Sequence, residues 1–570
     1  MINPYGGKLI NLLADAGEVE SLKRQASGIP LLTLNKRQMC DLELLMNGAY
    51  SPLSGFMTEA EYNSVVRDMR LPDGRPWSIP VVLDAPESLV SGLEKDARVG
   101  LVDQEGFMLA ILNVQDIWKV DKKQEAELVF GTQDAAHPGV HYLNNEINGY
   151  YLGGKITGLH EPIHYDFESL RSSPEELRNY FEKMGWTRTL AFSTGKPMHK
   201  VHHEITSSAA RQIGANILIH PLVGTGKPGE LEYFTRVHCY QAIMAHYPKH
   251  TALLSLLPYS TRMAGPREAI HSAIVRQNYG CSHILIGPEH GSPPETRQGG
   301  NRFYDRYLAQ QLIDQYKDEL EIIPVPIEET CYVPSKNRFV PEHIADDSKD
   351  HAIRISDTEL REHLLQGKDV PDWFSYPEVI EELKKIYRPR NEIGITLFFT
   401  GLSGSGKSTL AKLVYARFIE DGNRPVTLLD GDVVRTYLSS ELGFSKEHRD
   451  INVKRIGYVA SEINKNGGIA ICAPIAPYTE VRNYVRSINT RYGDFIEIHV
   501  STPLEVCEKR DRKGLYAKAR KGEIKQFTGI SDPYEEPVNP EIKIDTSQLS
   551  PTEAAQQIML YLINEGYLDQ

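Results

Sequence analysis

The chain has 570 residues, 41% hydrophobic and 24% charged, with a formal net charge of −13; this suits a globular protein of roughly three or four domains and argues against a general nucleic-acid surface. No apolar run approaches membrane-spanning length, and residues 1–13 lack a charged segment followed by a long apolar one, so a cytoplasmic location is expected, without export or membrane anchoring. The six cysteines are scattered with no C-x-x-C pair, which points to reduced thiols rather than a disulfide framework or a zinc knuckle.

Residues 1–165 read as β-rich: apolar runs at 79–83, 99–102 and 108–114 are separated by turn signals such as Asp73-Gly74 and Glu105-Gly106. Within them, residues 37–46 have the pattern of an amphipathic helix ended by Asn47-Gly48. Residues 166–325 alternate strand runs (189–192, 217–220, 252–257, 283–286) with helical patterns, which predicts a parallel sheet. Its ligand-binding loops are expected at the strands' carboxyl ends, residues 193–203, 221–236, 258–267 and 287–293. Residues 326–390 read as a smaller connector, and the basic, Pro389-containing run 384–391 as the linker to a last domain, 391–570.

That last domain opens on Gly401, Leu402, Ser403, Gly404, Ser405, Gly406, Lys407, Ser408 and Thr409, which match the phosphate-binding pattern G-x-x-x-x-G-K-[ST] at each required position. A β-leaning run, 393–400, precedes the loop, and Leu410, Leu413, Val414 and Phe418 follow at helical spacing. Such glycines turn backbone N–H groups onto a phosphate, and the helix adds its positive end. Lys407 is placed to reach the β/γ-phosphates and Ser408 to hold Mg²⁺, so MgATP is the expected ligand. The next strand run, 426–429, ends in Asp430-Gly431-Asp432, carboxylates suited to a general base or a metal–water contact.

Residues 37–57, the loop motif 222–230, residues 262–269 (Arg-Met-Ala-Gly-Pro-Arg-Glu-Ala), 278–283, and the connector motifs 355–361 and 371–374 together resemble the ATP sulfurylases (sulfate adenylyltransferases). The resemblance implies a β-barrel-like, PUA-like N-terminal domain, a Rossmann-like α/β nucleotidyltransferase domain and a small connector. Sulfate adenylation joins two anions and depends on fixed cations. The family loop reads Gln-Thr-Arg-Asn-Pro-x-His-x-x-His; by resemblance its Gln and Arg bind sulfate, its Asn helps at the α-phosphate and its histidines contact ATP phosphates. This chain has Ser193, Thr194, Gly195, Lys196, Pro197, Met198, His199 and, three residues on, His202. The family's Gly-Arg-Asp-His-Ala appears as Gly287-Pro288-Glu289-His290-Gly291, with Pro288 in place of the arginine and so no charge or side-chain donor there. Losing one preorganised donor typically costs on the order of 10²–10³ in rate. Lys196 restores a positive charge but not a bidentate fork. Three readings stay open: little or no sulfurylase activity, a working sulfurylase, or adenylylation of another oxyanion. For His199 and His202 the bland alternative is packing or a helix N-terminus.

No comparable break occurs in 391–570. With the phosphate loop, the stretches 430–435, 442–445, 449–452 and Arg455, 507–516 and 527–535 resemble the adenylylsulfate (APS) kinases. These phosphorylate the 3′-hydroxyl of adenosine 5′-phosphosulfate with MgATP. The resemblance makes Asp432 the candidate base or positioner. It gives Arg435, Arg449, Asn452 and Lys513, with Asp430 beside them, to the phosphosulfate and ribose, Phe444 and Phe527 to the two faces of the adenine, and Arg510 to ATP. Residues 476–479, Ala-Pro-Tyr-Thr, depart from the family's Ser-Pro-aromatic-Arg, and Arg482 lies close enough to compensate. Both resembled families assemble as homo-oligomers, so a dimer or hexamer is expected; the expected small-molecule partners are ATP, adenosine phosphosulfate and, in the sulfurylase readings, sulfate. A third role for the last domain, allosteric nucleotide binding as in fungal sulfurylases, fits poorly with a complete phosphate loop.

Overall fold

The computed structural model describes residues 1–94, 96–224, 233–293, 302–345, 351–422, 424–443, 445–511 and 513–568, without the side chains of Asp421 and Asp432. Residues 225–230 of the 222–230 motif, and Phe444, therefore lie outside the described residues. The chain divides into two compact units, Met1–Ser356 with Val370–Ile386, and Asp357–Asp369 with Tyr387–Gln570.

The first unit opens with a six-stranded sheet: β1 (Leu31–Thr33), β2 (Gly55–Phe56), β3 (Leu83–Ala85), β4 (Arg98–Val102), β5 (Met108–Lys119) and β6 (Tyr150–Gly158). The order is β1-β4-β5-β6-β2, with β3 also on β6, and no pairing among the described residues closes it into a barrel. The run at 79–83 is mostly not strand: β3 begins only at Leu83. Pro80 has no N–H for a ladder, and Val81 instead accepts one bond, from Met57 N at 3.0 Å. The predicted helix is Lys36–Met46, with an Asn35/Gln38 capping box and Asn47 at its end.

The same unit holds a parallel sheet of β7 (Thr189–Phe192), β8 (Asn216–Ile219), β9 (Ala252–Leu254), β10 (His283–Ile286) and β11 (Ile323–Pro326), ordered β11-β10-β7-β8-β9. Strand order reverses between β7 and β10, so the loops after these two strands flank the crevice where such sheets take ligands. Helix Pro266–Asn278 is buried over nearly its whole length and shares one hydrophobic core with the N-terminal sheet. A hairpin, β12 (Thr330–Val333) with β13 (Arg338–Pro341), follows, and helix Pro377–Lys384 packs on helix Tyr233–Met244.

The second unit is a parallel sheet of β14 (Gly394–Thr400), β15 (Val426–Asp430), β16 (Ile469–Ala473), β17 (Gly493–Val500) and β18 (Ile542–Ile544), ordered β15-β16-β14-β17-β18. Every residue of β14 is buried, which explains its continuous apolar run. Among the described residues, no helix is long and apolar enough to cross a membrane.

Candidate functional site

In the second unit, β14 delivers the chain into the phosphate loop and helix Lys407–Asp421 leaves it. Gly404 and Gly406 have φ of +74° and +104°, values a side chain rarely adopts. The loop is held from outside by hydroxyls. Ser405 O accepts from Thr502 Oγ1 (3.0 Å) and Thr546 Oγ1 (2.8 Å), and Ser403 O from Tyr516 OH (2.8 Å). Arg510 donates to Thr546 Oγ1 (2.8 Å) and O (2.8 Å) and more weakly to Gly404 O (3.4 Å). Lys407 is 7% exposed, with Nζ on Gly401 O (2.9 Å) and Leu402 O (2.8 Å). Burial pulls its pKa down to about 8; Cys507 and Asp430 raise it in part, and Lys513 opposes them. Asp430, at the end of β15, and Lys513 are thus within electrostatic reach of the lysine. Ser408 and Thr409 are exposed at the helix N-terminus. An exposed hydroxyl fits Mg²⁺, which takes few protein oxygens and keeps its waters and phosphates.

Asp432 lies in helix Gly431–Tyr437, directly after β15. Arg435 donates to Gly443 O (3.1 Å) and Leu442 O (3.4 Å), shaping the turn that leads to residue 444. Arg449 and Asn452 project from helix Lys446–Lys465. Arg449 donates to Thr528 Oγ1 (2.7 Å), Tyr478 OH (2.8 Å) and Asp532 Oδ2 (2.9 Å), which joins it to the loop carrying Phe527. Phe527 meets Tyr516 edge-on at 5.0 Å. Arg449 Nε and Asn452 Oδ1 are buried without a protein hydrogen-bond partner, polar atoms that call for a polar ligand or water. Arg455 instead pins the preceding turn, donating to Leu438 O (2.8 Å) and Glu441 Oε1 (2.6 Å). The roles of Thr502 and Thr546 were missed in the sequence; both are short polar residues just past strand ends, the only signal available.

In the first unit the loop after β7 is fixed through its backbone. Tyr240 OH donates to Thr194 O and Lys196 O (both 2.9 Å), and Arg236 to Gly195 O (3.1 Å); Ser193 is half-buried and the Lys196 side chain exposed. His199 is 3% exposed, within 2.9 Å of Ser375 Oγ and packed at a tilt of 37° against Phe374, 4.5 Å between ring centres. Burial first, then His202 and Lys196, push its pKa down to about 3. His202 Nδ1 accepts from His199 N (3.1 Å) in the capping box of helix Lys200–Ile213. Both histidines therefore have folding roles. In the loop after β10, Pro288 and His290 are half-buried, while Glu289, at φ +58°, lies 3.0 Å from Arg302. At Gly291 (φ +69°) an added Cβ would come within 2.4 Å of Glu268 Cβ, so the family's alanine does not fit this loop as it stands.

A phosphate loop after the central strand of a parallel sheet, with a carboxylate at the end of β15, two strands away, defines the second unit as a nucleoside-triphosphate-using phosphotransferase; the first is a nucleotidyltransferase-like body. Residues 2–161 match the family model for a PUA-like domain, 168–386 that for ATP-sulfurylase and 393–545 that for adenylylsulphate kinase. Relatives named sulfate adenylyltransferase include those of Phaeosphaeria nodorum, 46% identical over 572 residues, and Aspergillus terreus, 46% over 576, each covering 100% of this chain and 99% of the relative. A solved structure described as hexameric APS kinase from Thiobacillus denitrificans is 38% identical, with a TM-score of 0.81 and 100% of both chains covered. The chain belongs to the sulfate adenylyltransferase family, in the form that joins an ATP-sulfurylase domain to an APS kinase domain, and it is an enzyme of the phosphotransferase class.

Proposed function

We propose that this chain phosphorylates the 3′-hydroxyl of adenosine 5′-phosphosulfate with MgATP, giving 3′-phosphoadenosine 5′-phosphosulfate and ADP, while its sulfurylase domain makes little or no adenosine phosphosulfate. The uneven state of the two anion sites supports this reading. In the second unit the loop, Lys407 and the Arg449 cluster are assembled; in the first, the loops after β7 and β10 lack the arginines and amides that would grip sulfate. The Thiobacillus relative, matched end to end, is described by its kinase activity alone.

Phosphoryl transfer requires positioning and charge neutralisation more than covalent help. The loop N–H groups and Lys407 hold the ATP phosphates. Ser408, with the Asp430 carboxylate nearby, would hold Mg²⁺, which supplies charge neutralisation at the β/γ-oxygens when bound. Asp432 orients the acceptor hydroxyl and accepts its proton. Arg435, Arg449, Asn452 and Lys513 grip the phosphosulfate and ribose, and Phe444 and Phe527 take the adenine between them. Such a sandwich suits a flat base, and guanidinium groups suit a doubly anionic acceptor. The enzyme is a cytoplasmic homo-oligomer, with the hexamer of the Thiobacillus relative as the first state to test.

The second reading is a two-step enzyme that also makes adenosine phosphosulfate from sulfate and ATP. The exposed Lys196 and the name borne by the fungal relatives favour it. An allosteric nucleotide-binding role for the last domain is disfavoured by its complete phosphate loop. Two assays on purified protein decide. ADP release that requires added adenosine phosphosulfate supports the kinase, and its absence refutes it. Pyrophosphate release that requires sulfate and ATP, at rates near the kinase's, overturns the silent-sulfurylase reading.

A further inference from the structure

We propose that Arg482 is a positioning residue for the acceptor: it fixes the loop that holds Arg449 and Phe527, and so sets affinity for adenosine phosphosulfate without touching it. This inference rests on the kinase reading. In sequence Arg482 lies close enough to stand in for the arginine missing at Thr479, but in the fold it is enclosed by protein oxygens. It is 2% exposed, with both terminal nitrogens hydrogen-bonded and Nε ion-paired. Nε lies 2.9 Å from Glu497 Oε1 on β17. Nη1 donates to Ala476 O (2.8 Å), and Nη2 to Glu535 O (2.8 Å) and Thr479 Oγ1 (3.2 Å). One guanidinium thus ties a central strand to two loops, a task for a rigid fork rather than a point charge.

The two loops are stitched to each other and to the acceptor side. Thr479 N donates to Glu535 Oε2 (2.7 Å) and Glu535 N to Pro477 O (2.9 Å). One residue from this seam, Tyr478 OH donates to Asp532 Oδ2 (2.7 Å) and accepts from Arg449 (2.8 Å). Arg449 in turn reaches Thr528 (2.7 Å), the neighbour of Phe527, whose carbonyl accepts from Ile530, Ser531 and Asp532 N. Ala476 has φ of +46°, a conformation that a non-glycine residue keeps only where its surroundings hold it. Here the bonds from Arg482 and Thr400 to its carbonyl do so. The body of the phosphate loop hangs on other groups, Thr502, Thr546, Tyr516 and Arg510, and only its first residue meets this seam, Gly401 N donating to Ile475 O at 3.4 Å. A change at Arg482 therefore acts more strongly on the acceptor than on ATP.

The test is steady-state kinetics of the full-length protein, varying each substrate in turn. For Arg482→Ala the KM for adenosine phosphosulfate is expected to rise about tenfold or more, with the KM for ATP and kcat each within about threefold. Arg482→Lys keeps the charge near Glu497 but loses the fork, so an intermediate rise is expected. Glu497→Gln should raise the same constant by less. An unchanged acceptor KM in either arginine variant, or KM values for both substrates rising by the same factor, overturns the proposal. If Arg482→Ala does not fold, Arg482→Lys decides alone. A wild-type protein without acceptor-dependent ADP release sinks the kinase reading, and this inference with it.

Discussion

Lys407 carries the sharpest test of the phosphate site, because its two roles respond oppositely to pH. Burial lowers its pKa from 10.5 to about 8. Between those values the folded state binds fewer protons than the unfolded one, so stability from this group rises with pH across the window. The full difference is worth about 3 kcal/mol, and about 2 kcal/mol of it falls between pH 6.5 and 9.5. In Lys407→Met the carbonyls of Gly401 and Leu402 lose their donor, an offset that does not depend on pH. Wild type should therefore gain about 2 kcal/mol on the variant as pH is raised over that range. The sequence has four tryptophans, Trp77, Trp118, Trp186 and Trp373, all in the first unit. Their fluorescence is an internal control, and urea unfolding of the second unit is followed by pulse proteolysis. Activity runs the other way: kcat in the variant falls on the order of 10²–10³. In wild type, kcat/KM for ATP declines as pH rises through about 8. A pH-independent stability difference, or kcat/KM for ATP flat to pH 9.5, would refute the placement of a buried ammonium here.

Three further outcomes concern the first unit and are read by tryptophan fluorescence in urea. His199, with a folded pKa of about 3 against 6.5, excludes a proton that the unfolded chain takes up, so stability is lost as pH falls through that window; His199→Phe should flatten this acid limb. Asp41 and Arg262 form an ion pair at 2.5 Å with side chains 2% and 8% exposed. Asp41→Ala should cost about 3–5 kcal/mol, and Asp41→Leu with Arg262→Met should recover most of it. Gly291→Ala, forced to φ +69° against Glu268, should destabilise by about 1–3 kcal/mol and leave the kinase constants unchanged.

The phosphate loop was legible because its chemistry and its fold are encoded in the same nine consecutive residues. Strand runs at 189–192 and 283–286 were read to the residue, since each is short, apolar and bounded by turns. Prediction failed over most of 79–83, where Pro80 interrupts an apolar run of which only Leu83 joins a strand. The clamps were invisible for a different reason. Thr546 reaches Ser405 across 141 positions, and Ser375 meets His199 across 176. Local pattern carries no trace of such contacts, and a buried guanidinium such as Arg482 reads in sequence like any helical arginine.

These contacts also bear on what a resemblance to the sulfurylases is worth. The motif residues this chain retains are ones the fold depends on. His199 and His202 cap a helix, and Arg262 is locked to Asp41. Glu268 takes bonds from Tyr259, Thr261 and the backbone of Arg262 and Ala264, and Asn278 bonds to Tyr5, Ala49 and Ser51. The positions that depart, Ser193, Gly195, Lys196 and Pro288, sit in loops; around β7 that loop is held by its carbonyls, from Tyr240 and Arg236. The bonds that hold the loop after β7 thus do not depend on which side chains stand at 193, 195 and 196. A domain under selection only to fold would therefore keep the first set and lose the second, and a whole-chain identity of 46% would barely register the difference. On the proposed reading, sulfate adenylation turns on those four positions more than on the extent of the match.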